Sequence, residues 1–311
     1  MLTPDLPVTN KPLAPTRMRT SGARRRSNRA QIVALLAAMG ALLAYCGWII
    51  AGWDGIAWSV IGGAIGLVLV RRVPVDMFLK AMRARPLLPG EAPGAEAFVA
   101  ALCRRAGLSP IPLLYHIDEV LPLAFSLGAG EAAVIVVADS LLAGLTRREL
   151  CAILAHEIVH LRNGDILLQQ VGLVLGWLTR VLSQLGFFLV FVGLAMHVFS
   201  LGESPLFSLL VLATAPIGVG LLRLALSRAR EAEADLEAAE LTGDPAALAS
   251  ALVKLRRWQE RLLRQWFPTA HPLHLPTLFD DHPPTEERIR RLMGVPQHKG
   301  TEGFGGGPLH E

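Results

Sequence analysis

Two histidines four residues apart, with a glutamate directly after the first, stand in Ala155-His-Glu-Ile-Val-His-Leu-Arg-Asn-Gly-Asp165. On an α-helix, positions i and i+4 lie one above the other, so His156 and His160 present two imidazoles on one face at a spacing that suits a single tetrahedral metal ion. Glu157 is turned about 100° from His156 by the 3.6-residue period. That position suits a general base acting on a metal-held water better than a third ligand. The motif alone also fits an exposed helix that merely groups these side chains, so a third ligand in a permitted place is the deciding feature.

Glu231 is the best candidate, in Ser227-Arg-Ala-Arg-Glu-Ala-Glu-Ala-Asp235. An even number of apolar crossings separates it from His160, which returns it to the same side of a bilayer. Asp235 follows four residues later on the same helical face, where it can accept a hydrogen bond from the second nitrogen of a metal-bound imidazole. Glu233 points elsewhere and reads as a solvated charge.

The elements that must position these groups are set by an apolar composition. The chain has 311 residues, 52% of them hydrophobic and 18% charged, with a mean hydropathy of +0.44, too apolar for an ordinary soluble enzyme. The net charge of +4 comes from arginines gathered at the edges of apolar runs, a pattern that points to lipid headgroups and not to nucleic acid. Cys46, Cys103 and Cys151 form no C-x-x-C pair, which suggests neither a disulfide framework nor a thiolate metal site.

Residues 1–31 read as a disordered basic tail, and an Arg- and Ser-rich targeting segment is the alternative. Ile32 to Trp53 is uncharged and long enough to cross a hydrocarbon core of about 30 Å. After a turn at Trp53-Asp54-Gly55, Ile56 to Val70 returns and ends at Arg71-Arg72, so residues 32–70 form a hairpin with both ends on the cytoplasmic side. Residues 71–165 read as a cytosolic part. It has a helix from Ala95 to Ala106 stopped by Gly107, then strands at Leu113 to Asp118, Leu123 to Leu127 and Ala133 to Ala138. Thr146-Arg-Arg-Glu149 has capping-box spacing and starts the helix that carries the histidines. Residues 166–226 read as a helix extension and a second hairpin, with crossings near Val181 to Ser200 and at Leu206 to Leu226. Residues 227–295 return to the cytosol with Glu231, and 296–311 form a Gly-rich tail. The charge-free strand Ala133 to Ala138 reads either as an edge that a substrate strand could join or as a buried central strand.

H-E-x-x-H-x-x-N-x-D, followed after a hydrophobic hairpin by S-R-x-R-E-x-x-A-D and then by His282-Pro-Pro-Thr-x-x-Arg288-Ile, resembles the HtpX-like family of membrane zinc metalloproteases, relatives of the CAAX prenyl endopeptidases. The resemblance covers roughly Leu123 to Leu292. It implies a mainly α membrane protein with four transmembrane helices in two hairpins and a small α+β gluzincin-like protease domain. It also implies one Zn2+ per chain held by His156, His160 and Glu231, with Glu157 activating water and Asp235 supporting a ligand. Asn163 and Asp165 occupy the motif positions as groups that finish the helix, Asn163 close to the ligands. The implied partners are misfolded or membrane proteins and the lipid bilayer. The implied place is the bacterial cytoplasmic membrane, with the N-terminus and site cytoplasmic. Family members commonly read Asn-Ala-Phe-Ala where this chain has Leu123-Ala124-Phe125-Ser126, a difference that bears on substrate preference.

A proteolytic site also needs a group to stabilise the oxyanion. His271, His274, His282 and Arg288 are the candidates, against solvated loop histidines and an Arg288 that pairs with an acid to fix its helix. Two other functions fit the same residues. One is an intramembrane protease, disfavoured by the polar flanks of the motif; the other is a membrane scaffold or adaptor whose metal only stabilises the fold.

Overall fold

The computed structural model describes residues 18–88, 91, 94–198, 206–266 and 285–294. The expected turn at 202–205, the proline-rich connection at 267–284 with its three histidines, and most of both tails lie outside the described residues. The molecule is mainly helical with one small sheet. Three described helices are long and apolar enough to cross a membrane, over Ala30–Arg72, Asp165–Leu189 and Leu210–Thr242.

The first helical segment, α1 (Met18–Arg72), doubles back at Ala51 and Gly52, which leave the helical region, Gly52 with φ +58°. Positions 47 and 55 would stand about 12 Å apart on a straight helix. Here a Cβ added to Gly47 would meet the Gly55 carbonyl oxygen at 2.3 Å. The reversal therefore falls two residues before the expected Trp53-Asp54-Gly55 turn. Gly52 supplies the left-handed backbone, and the absence of side chains at Gly47 and Gly55 lets the two arms touch.

Helices α6 (Asp165–Val198) and α7 (Leu206–Thr242) run antiparallel beside these arms. Their register is fixed by a series of contacts. The Asp165 carbonyl accepts from Arg230, the stem of Arg223 lies on Gly172 and Gly176, the Ser183 hydroxyl donates to the Ala213 carbonyl at 2.8 Å, and Gly186 faces Leu212. Small residues let the helices approach, and Ser183 satisfies its polar group across the interface, as packing in an apolar medium requires. The apolar run and the charged stretch after it are continuous in α7, which carries on without a break through Glu231 to Thr242.

Between α1 and α6 in the chain, α2 (Val75–Ala81) leads to a four-stranded sheet of β1 (Arg85–Pro86), β2 (Leu113–Ile117), β3 (Ala124–Leu127) and β4 (Val134–Ala138), in the order β1-β2-β4-β3. β4 runs parallel to β2 and antiparallel to β3, and all five of its residues are buried. Ala133 to Ala138 is thus the central strand and not an edge; β3 is the outer strand on that side. Leu79 of α2 packs on one face of the sheet with Ile117, Val134 and Val136.

The other face carries the main core. It is built from α3 (Ala95–Ala106), α5 (Arg147–Asn163), the end of α7 and α8 (Pro245–Trp266). α3 ends at left-handed Gly107, as its sequence predicts. A short α4 (Asp139–Gly144) leads from β4 towards α5. α5 opens on the full capping box, in which the Thr146 side chain accepts from the Glu149 backbone and Glu149 returns to Thr146. A last helix, α9 (Thr285–Leu292), contributes Leu292 to this core.

Candidate metal centre

α5 presents its apolar face to the sheet and to α3 and α8, with Ala152, Ile153, Leu154, Ala155, Ile158 and Val159 all buried. This packing fixes the rotation of the helix and turns His156, Glu157 and His160 towards α7, where all three are buried. α5 is not among the three described helices that are long and apolar enough to cross a membrane. At its C-terminus Gly164 takes a left-handed conformation, φ 71°, and α6 starts at once with Asp165.

Glu231 approaches from α7 and completes a buried group of three. The two Nε2 atoms of His156 and His160 are 3.1 Å apart. Glu231 Oε2 is 3.3 Å from His156 Nε2, and Oε1 is 3.4 Å from His160 Nε2. Donor atoms about 2.1 Å from a tetrahedral ion stand about 3.4 Å apart, so two imidazoles and a carboxylate at these separations fit one ion of that kind.

Each imidazole has an acid behind it. His160 Nδ1 donates to Asp165 Oδ2 at 2.6 Å, and His156 Nδ1 is 3.2 Å from Asp235 Oδ1. Such contacts select the tautomer that leaves Nε2 free to coordinate. Burial by itself would lower the pKa of both rings. The carboxylates of Asp235 and Glu231 outweigh it for His156, whose pKa is raised; Asp165 and Glu231 outweigh it for His160, which is held up to about 10. The field at the two rings favours positive charge.

Arg288 of α9 closes the far side. Its Nε and Nη2 each donate to Asp235 at 2.7 Å, and Nη2 is 3.3 Å from Glu231 Oε2. The guanidinium is buried and lies outside the cleft lining. It pairs with an acid, Asp235, the reading that stood beside the oxyanion role. His271, His274 and His282, the other candidates, lie outside the described residues. Asn163 is the last residue of α5. Its Nδ2 donates to Glu237 Oε2 at 2.9 Å, where Arg162 also binds, so it ties the end of α5 to α7.

A cleft lies over the group. It is bounded by Ala124, Phe125 and Ser126 of β3, by His156, Glu157 and His160, and by residues of α6 and α7 that include Arg223 and Arg230. In the sequence Asp165 reads as a helix-finishing residue and Arg230 as one of the basic residues at the edge of an apolar run. The H-x-x-x-x-D spacing from His160 to Asp165 was the available signal for the first. Arg230 had only its place beside Glu231, and Arg223 only its charge near the end of an apolar run.

Residues 91–295 match peptidase family M48. The chain is 36% identical over 290 residues to a protein named Protease HtpX homolog from Desulfatibacillum aliphaticivorans, covering 88% of this chain and 92% of that one. It is 33% identical to the protein of that name from Nostoc punctiforme, with 89% and 99% covered. Among solved structures, the crystal structure of S. mikatae Ste24p is similar at a TM-score of 0.48 and 20% identity, covering 87% of this chain and 66% of that one.

Proposed function

This chain belongs to peptidase family M48 as a membrane-anchored metalloendopeptidase, and we propose that His156, His160 and Glu231 hold one zinc ion while Glu157 takes the proton of the attacking water. The observation that carries this reading is the set of 3.1, 3.3 and 3.4 Å separations among three buried donors from two distant helices. Glu157 lines the same cleft beside β3.

Zinc in such a site supplies Lewis acidity, which makes a bound water easier to ionise and polarises the scissile carbonyl. The side chains do the rest. Asp165 and Asp235 hold the imidazoles with Nε2 inward, and Arg288 keeps Asp235 ionised and in place. Glu157 accepts the proton as the water oxygen bonds to the carbonyl carbon, then delivers it to the amine as the C–N bond breaks. An extended peptide lying along the outer edge of β3 would place its backbone across the cleft. Main-chain hydrogen bonds then give affinity with little demand on sequence, which suits misfolded proteins and membrane-protein segments as substrates.

The two arms of α1, with α6 and α7, make four crossings on this reading. Arg71 and Arg72 after the first pair and Arg228 and Arg230 after the second put the site on the cytoplasmic side of a bacterial membrane. Residues 71–165 and 227–295 then form one proteolytic unit interrupted by the second hairpin.

The test is cleavage of an unfolded protein by the purified full-length chain loaded with zinc in detergent. Glu157→Gln is expected to abolish cleavage and to retain one zinc per chain by metal analysis. Cleavage that survives the substitution would remove Glu157 from the mechanism, and a native protein that binds zinc but cleaves nothing would return the scaffold reading.

A further inference from the structure

The cleft does not end at the metal group. Residues 223, 226, 227, 230 and 231 of α7 recur at helical spacing as one stripe of its wall, and Asp165, Gln169 and Gly172 form the facing stripe of α6. Because the helices are antiparallel, Arg230 meets Asp165 at one end, and Arg223 meets Gly172 at the other. Seven residues at about 1.5 Å each put Arg223 about 10 Å from the level of Arg230, on the side where the helices enter the apolar layer.

Three features of Arg223 set it apart from a structural arginine. Its stem rests on glycine: a Cβ at Gly176 would stand 3.4 Å from Cδ of Arg223, and one at Gly172 3.8 Å from its Cγ. It is half-buried in the cleft wall, and no carboxylate among the described residues forms an ion pair with it, whereas Arg148, Arg162, Arg256, Arg288 and Arg291 all have one. It also sits at the end of an apolar helix run, where an ionisable side chain is costly and marks a path for a ligand. Nearer the metal group, the buried Arg230 Nε also lacks a hydrogen-bond partner among the described residues. The α7 wall thus carries two guanidiniums, Arg223 and Arg230, leading up to Glu231, with hydrogen-bonding capacity left over.

We infer that Arg223 is a specificity-determining residue that binds a carboxylate of the peptide substrate about three residues from the cleaved bond, the distance that an extended chain at about 3.3 Å per residue needs to span about 10 Å. A guanidinium pairs with a carboxylate through parallel hydrogen bonds and is less strongly hydrated than an ammonium, so it suits a half-buried subsite. The carboxylate can come from an Asp or Glu side chain or from the end of the substrate chain. This inference rests on the endopeptidase reading for its catalytic consequence. The binding itself does not need turnover.

The experiment uses the full-length zinc protein in detergent micelles and internally quenched peptides. An acid or its matched Gln is placed two, three or four residues to either side of the cleaved bond. A second pair carries a free or amidated C-terminus at the same distances. The native protein is expected to favour the acid at one position by about tenfold in kcat/KM. Arg223→Gln is expected to remove that preference, and Arg223→Glu to reverse it in favour of Lys, a gain that misfolding cannot produce. Whichever pair shows the effect identifies the source of the carboxylate. The same peptides binding to the Glu157→Gln protein, read by fluorescence anisotropy, are expected to show the same order of Kd. If native protein cleaves nothing while this binding order persists, the endopeptidase reading fails and the carboxylate subsite stands. Equal handling of acid and amide peptides at every position overturns the inference, as does an Arg223→Glu protein that still prefers acids. A loss in Arg223→Gln that is uniform across peptides and scales with anionic lipid overturns it in favour of a headgroup contact.

Discussion

The two sides of the metal group are held by different forces. On the α5 side, His156 and His160 come from one turn of one helix, and a continuous apolar face of that helix locks their direction against the sheet, α3 and α8. On the α7 side, Glu231 and Asp235 are held by charge, through Arg288 from α9 and the imidazoles themselves. Packing is non-directional and tolerates small changes in shape, whereas a buried ion pair fails abruptly when one partner goes. The contrast separates the residues that bring donors to the site from those that keep charges in register there.

Removing Glu231 tests the contrast most severely. Glu231→Ala is expected to lower zinc occupancy and cleavage as completely as His156→Ala, with activity down by about a thousandfold or more, since three donors leave no redundancy. Metal analysis beside a cleavage assay checks it, and substantial zinc retention would show that the α5 side binds by itself. Next in size, Arg288→Met leaves Asp235 buried without its cation and is expected to cost about 3–5 kcal/mol of stability. Adding Asp235→Asn should recover part of that loss, a coupling that unfolding curves in detergent would reveal.

The opening of α5 gives a pH test. Burial would raise the Glu149 pKa, but Lys254, Ser250 and Thr146 outweigh it and bring the pKa down to about 2 from 4.5. A depressed carboxyl contributes stability above its unfolded value that is lost as pH falls from about 4.5 towards 2, here on the order of 3 kcal/mol. The gap in stability between native protein and Glu149→Gln should therefore be widest near neutral pH and shrink through that window. Smallest of the four, Asp165→Asn is expected to weaken zinc binding about 10–100-fold, because the carboxylate acts through the His160 ring. A change below about twofold would leave Asp165 as a helix-capping group only.

The same contrast explains what the sequence disclosed. Local spacing carried the α5 side, since i, i+4 geometry, the capping box and Gly107 are properties of short windows. Glu231 was accessible from counting crossings. The strand order was not, because Ala133 to Ala138 is apolar whether central or outermost, and only pairing with both β2 and β3 makes it central. The partners of Arg288 and Asn163 were hidden for a related reason: Asp235 and Glu237 lie 53 and 74 residues away, so no window of sequence contains the pair. The hairpin reversal was sought at polar Asp54, while the backbone uses Gly52 for its left-handed turn.

The unbroken run of α7 from the apolar layer to Thr242 has a consequence for biogenesis. On the ligand set proposed here, the histidine pair leaves the ribosome well before Glu231, and the carboxylate reaches it only when the last apolar segment has gone in and come back. A half-made or uninserted chain would carry no competent hydrolase. Insertion itself would then act as the switch, sparing the cytosol from a protease that has not reached its post.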